Sequence, residues 1–173
     1  GQNVAPHVRR VDGVFLHMVL VPTQEAYKDL QNASSAKRVR LDDLLRYGDD
    51  IAFEDTRGVV QKALEGQSTP GKDVLFVLPR PGNTTPWASK ATDISHICEM
   101  DDTIERLERG MAFVLDVSEP LNADEFHHAQ SHLHDRMTQI VTRDPPVFLA
   151  NELFGSSEPS PLRVVELLSS ASD

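Results

Sequence analysis

A chain of 173 residues with 39% hydrophobic and 25% charged side chains has the size and composition of one ordinary globular domain, which excludes a disordered or fibrous class. The net charge of −10, from 27 acidic against 17 basic residues, opposes binding to a nucleic-acid backbone. A single cysteine, Cys98, excludes an internal disulfide, and no apolar run reaches the ~20 residues of a membrane-spanning helix, so a cytoplasmic protein with no membrane partner is expected.

The first element is a strand over Val11 to Val21, crowded with Val14, Phe15, Leu16, Met18, Val19 and Leu20 and bounded by Gly13 and Pro22. A polar stretch leads to Ser34 or Ser35, the cap of a helix over Ser35 to Tyr47 with Gly48 beyond its end. The basic residues Lys37, Arg38 and Arg40 on this helix read as a solvated face. Between Asp49 and Asp73 the pattern supports a short helix over Val59 to Leu64, closed by Gly66, and then a loop.

Val74 to Leu78 is a strand of five apolar residues stopped by Pro79 and Pro81. Thr85 and Pro86 then open a helix on which Trp87, Ala91, Ile94 and Ile97 recur at helical spacing as its inward face. Cys98 ends that face as a packed thiol. Two strands around a bend at Gly110 account for Ile104 to Val117. In the first of them Arg106 and Glu108 share a surface face and Arg109 points away.

The next helix has a full start signal, with Asn122 as cap, Glu125 at the reciprocal position and Leu121 and Phe126 as the staple. Its stripe of Phe126, Ala129, Leu133, Met137 and Ile140 predicts a helix reaching to Asp144-Pro145-Pro146. A short apolar piece over Val147 to Phe154 and a last strand over Leu162 to Leu168 complete the chain. The expected fold is α+β, a largely antiparallel sheet with two main helices on one face and ferredoxin-like strand-helix-strand-strand-helix-strand character. A single domain over 12–168 with flexible ends at 1–11 and 169–173 is expected. Gly1 in place of methionine suggests processing, a tag remnant or a longer parent chain.

Chemistry is sparse. Cys98 lacks the glycine-rich elbow and paired histidine of a glutaminase nucleophile, and no phosphate-cradling glycine loop is present. His128 and His132 stand four apart, but without the glutamate of a zincin pattern or a third ligand the cluster with His127 and His134 reads as a polar helix face. The strand-to-helix loop concentrates Arg80, Thr84, Thr85, Ser89, Lys90 and Asp93 near a helix amino terminus, where anions are attracted. Those residues, with Arg106 and Arg109, are the candidates for interdomain docking or anion binding, and internal pairing of Arg80 with Asp93 is the structural alternative.

Residues 79–94, PRPGNTTPWASKATDI, follow a VLFVL strand and precede IERLERG. Together with LLRYG over Leu44 to Gly48 and LHDRMT over Leu133 to Thr138, they resemble the amino-terminal domain of the large single-chain phosphoribosylformylglycinamidine synthase (FGAM synthase). The resemblance runs over about residues 12–168. Asn83, Thr84 and Ala88 depart from the family pattern, which has threonine then an aliphatic residue in the loop and serine in the helix.

The resemblance implies a parent ligase that converts formylglycinamide ribonucleotide to its amidine in purine biosynthesis with ATP, magnesium and ammonia from glutamine. It implies that this region is a non-catalytic support whose partners are the synthetase and glutaminase domains, with no cofactor, no metal and no catalytic residue of its own. Two alternatives stand beside it: a separate subunit-like protein bridging synthetase and glutaminase chains, and a small anion-binding module using the Arg80 to Asp93 loop.

Overall fold

The computed structural model describes residues 7–47, 55–149 and 153–154, and the backbone of 164–168. In chain order the elements are β1 (Val8–Leu20), α1 (Gln24–Gln31), α2 (Ala36–Leu44), α3 (Thr56–Leu64), β2 (Lys72–Pro79), α4 (Pro86–Ile97), β3 (Arg106–Val117), α5 (Ala123–Leu133), β4 (Gln139–Thr142), a 3₁₀ turn (Pro146–Leu149) and β5 (Val164–Leu168). The class is α+β, and the strand pairs β1 with β5, β2 with β3 and β2 with β4 are all antiparallel. Among the described residues no helix is long and apolar enough to cross a membrane.

The chain forms two compact units, and β1 and β3 each contribute one half to each. The first unit holds residues 1–14, 52–80 and 111–149, and its β2 lies between β4 and β3. Alternation along β2 and β3 places Leu75, Leu115 and Val117 in a core with Leu121, against which Phe126, Ala129 and Leu133 of α5 pack. Gly13 lies inside β1, where an added Cβ would meet the Phe113 ring at 3.1 Å, so glycine there serves ring packing rather than a strand boundary. At the chain entry to α5, Asp73 accepts from the Leu121 amide at 3.2 Å and from Arg143 at 2.8 Å and 3.1 Å.

The second unit holds residues 15–51, 81–110 and 150–173. Its core gathers Val19 and Val21 from the β1 end, Ala26 and Leu30 from α1, Leu41 and Leu45 around α2, and Met100, Ile104 and Leu107. Helix α1 is not expected from the sequence. Thr23 Oγ1 accepts from the Ala26 amide at 3.1 Å to start it, and the four-residue spacing of buried Ala26 and Leu30 gives it one apolar stripe.

Several expectations are corrected. The α5 helix stops at Leu133 rather than continuing to Ile140, because Asp135 caps a tight turn, accepting from the Met137 amide at 2.8 Å, and residues 139–142 pair with β2 instead. Met137 is consequently 80% exposed. β3 runs as one strand through Gly110, whose backbone groups can join the ladder without a bend. Among the described residues there are five α-helices, including α3, which matches the expected Val59 to Leu64 segment. Gly48 and the segment 155–163 lie outside the described residues.

Candidate functional site

Helix α4 is set by a conventional start: Thr85 Oγ1 accepts from the Ala88 amide at 3.1 Å and Pro86 occupies the first turn. Its buried positions are Ala88 and Ser95, not the large apolar residues. Small side chains let the helix lie close to the strand beside it. Thr92 Oγ1 accepts from the Leu107 amide at 2.9 Å, and the His96 ring meets the Ile104 carbonyl at 2.7 Å. The phase of the helix leaves Trp87 and Ala91 half-buried against the core, as expected, and turns Ile94 and Ile97 outward. Ile94 is 43% and Ile97 80% exposed, which corrects their expected inward placement, and Cys98 is half-buried rather than fully packed.

Trp87, Ala91 and Ile94 line a pocket of about 210 Å³ with Leu44, Leu45 and Tyr47 on its walls and exposed Lys90 among the lining residues. In the same unit stands an arginine among rings. Arg109 Cζ lies 4.6 Å from the Phe15 ring centroid, 4.9 Å from Trp87 and 5.7 Å from Tyr47, distances at which a guanidinium is attracted to a π face. Arg109 also donates to the Tyr47 hydroxyl oxygen at 3.2 Å, and that hydroxyl faces Nε2 of buried His17 at 2.6 Å. The backing of His17 and the ring contacts hold Tyr47 and Trp87 in place while Phe15 and Tyr47 stay more than a third exposed.

The loop before α4 is anchored by Glu108, which is 2% exposed and therefore not the surface residue that strand alternation suggested. Its carboxylate accepts from Thr85 Oγ1 at 2.9 Å, from Arg106 at 3.2 Å and from the Arg109 amide at 3.0 Å. Arg106 also reaches the Asn83 carbonyl at 3.3 Å and covers the Phe154 ring. Burial of a carboxylate is tolerated because it is paired and hydrogen-bonded on several sides.

The sequence candidates thus separate. Thr85, Arg106 and Arg109 converge on Glu108, whereas Thr84, Ser89, Lys90 and Asp93 are exposed. Arg80 belongs to the first unit, where its guanidinium donates to the Arg136 carbonyl at 2.6 Å and 3.1 Å. The basic cluster on α2 is also engaged: Lys37 bonds Asp102, Arg38 bonds Asp42 and the Leu30 carbonyl, and Arg40 bonds the Cys98 carbonyl. The Lys37 ammonium and the Thr103 hydroxyl hold the Asp102 carboxyl below its ordinary range. Sequence reasoning missed the Tyr47 and His17 pair, whose partners lie 30 residues apart with no shared motif. Among the described residues no group of three or more His, Cys, Asp or Glu side chains is placed to hold a metal ion.

Residues 15–154 match the family described as formylglycinamide ribonucleotide amidotransferase N-terminal. The chain belongs to that family. The formylglycinamide ribonucleotide amidotransferase N-terminal match contains both the PRPGNTTPWASKATDI block and the Arg109 ring cluster, and it associates the chain with FGAM synthase and purine biosynthesis.

Proposed function

We propose that this chain is a non-catalytic docking domain of FGAM synthase, joined to the synthetase and glutaminase domains through the Arg109 ring cluster and the adjoining α4 pocket. The observation that carries this reading is the combination of Arg109, Tyr47 and Trp87 at one partly exposed site. Arginine, tyrosine and tryptophan are the residue types that dominate binding energy at interface centres. Three rings surround the Arg109 guanidinium, and its one side-chain bond among the described residues, to Tyr47, leaves other donors for a partner's carboxylate or carbonyl oxygens.

Among the described residues, five of the eight exposed large hydrophobics, Phe15, Val39, Tyr47, Ile94 and Ile97, belong to this same unit, which favours it for burying further apolar surface. Anion binding at the α4 start is less favoured, because Thr85 already serves both the Ala88 amide and Glu108, and a buried carboxylate beside a helix amino terminus repels a second anion. In this reading the parent enzyme, in the cytoplasm, supplies ATP, magnesium and glutamine chemistry from its other domains, and this chain contributes geometry.

Size-exclusion chromatography of the chain with the synthetase and glutaminase portions tests the proposal. Co-migration at micromolar concentration, abolished by Ile94→Asp and unaffected by Val147→Asp in the first unit, is the expected result. Persistent separation of the unsubstituted chain, or equal co-migration of both variants, overturns it.

A further inference from the structure

Helix α5 has no fully buried residue and carries His127, His128 and His132 exposed along its outer surface. Two of these meet. His128 and His132 stand one turn apart, their ring centroids are 4.8 Å apart at 66°, and their Nε2 atoms approach to 3.2 Å. Neutral imidazoles at that spacing can share only one N–H between them, so at most one lone pair is used.

A metal ion uses both. Nitrogens bound at about 2.0–2.1 Å to one ion are about 2.9 Å apart at a right angle and about 3.3 Å apart at the tetrahedral angle. The separation in α5 falls between these limits, so the two nitrogens already stand at chelating distance. We propose that His128 and His132 form a two-nitrogen surface site for a late divalent transition ion of the Zn²⁺, Ni²⁺ or Cu²⁺ class, with water completing the shell.

Imidazole nitrogen selects this class over Mg²⁺ and Ca²⁺, which prefer oxygen ligands. Exposed Asp124 lies a further turn back along the helix and adds a favourable field for a cation. His134, whose Nδ1 is engaged with the Gln130 carbonyl, is no part of the proposed pair. The site is distinct from the docking surface proposed above and does not depend on it.

Isothermal titration of Ni²⁺ into the intact chain, with Zn²⁺ as competitor, tests the site. One saturable site is expected, weakened on the order of a hundredfold by His128→Gln or by His132→Gln, because either change removes the second, locally tethered ligand. His127→Gln should bind as the unsubstituted chain does. In a parallel measurement Ni²⁺ should broaden the ring resonances of His128 and His132 before those of the other histidines. Absence of saturable binding, unchanged affinity in both single variants, or first broadening elsewhere overturns the proposal.

Discussion

Arg10 and Arg109 are strand arginines with opposite surroundings. Arg10 contacts Asp55 at 3.1 Å and Asp116 at 3.0 Å, and Lys72 joins the same two carboxylates, so two cations and two anions neutralise one another within the first unit. Arg109 in the second unit has three rings and one hydroxyl around it and, among the described residues, no carboxylate partner for its guanidinium. Closed charge clusters serve the fold, since every group is already answered. A ring-bound arginine keeps directional donors available, and in the docking reading proposed above that difference separates a stabilising site from a recognising one.

The comparison can be broken most severely at Glu108. Replacing it with alanine strips the bonds to Thr85, Arg106 and the Arg109 amide and leaves a partly buried cation without its partner, and should cost about 3 kcal/mol in denaturant unfolding. Asp73→Ala is the counterpart in the first unit. Loss of the two Arg143 bonds and the Leu121 amide contact should cost about 2 kcal/mol by the same measurement, with docking unchanged.

Arg109→Ala sharpens the contrast. It should weaken association with the other synthase domains about tenfold, read by calorimetry, with little change in unfolding midpoint. Arg10→Ala should do the reverse, lowering the midpoint by a few degrees and sparing association. Equal effects of the two variants on both measurements would erase the distinction.

The smallest effect is on pH dependence. Hydrogen bonding from Lys72, then the charges of Arg10 and Lys72, hold the Asp55 carboxyl below its ordinary value of 3.8. Its contribution to folding is therefore complete above that value and is lost as pH falls through the lower folded value. Hydrogen bonds to Asp116 and Asp55 raise the Lys72 ammonium above 10.5, so its contribution is complete below that pH and lost above it. Lys72→Met should flatten the cluster's part of both limbs in unfolding midpoints measured across pH, and unchanged limbs would exclude the cluster as their source.

Much of this arrangement is legible in the sequence where local chemistry decides it. The Asn122 and Glu125 capping box is present with both bonds, at 3.0 Å and 2.9 Å, because cap and acceptor lie within one turn. The Thr85 and Pro86 helix start and the β2 strand are readable for the same reason. Helix phase was not. Trp87, Ala91, Ile94 and Ile97 satisfy a core-facing period, yet only Trp87 and Ala91 pack against the core while Ile94 and Ile97 stay exposed, since the bond of Thr92 to the Leu107 amide and the burial of Ala88 and Ser95 fix which way the helix turns. The end of α5 was misread because the Met137 and Ile140 spacing fits a helix, while the free edge of β2 offered residues 139–142 a better use. The Arg109 cluster draws on Phe15, Tyr47, Trp87 and Arg109, four separate positions that only tertiary structure gathers.

The bonds along α4 have a mechanical meaning. Thr85 is fastened to Glu108, Thr92 to Leu107 and His96 to Ile104, so successive turns of the helix are riveted to one short run of chain. A pull applied at Ile94 falls between two of these fasteners, with the third behind them, so the load is shared among several bonds and does not rest on one end of the helix.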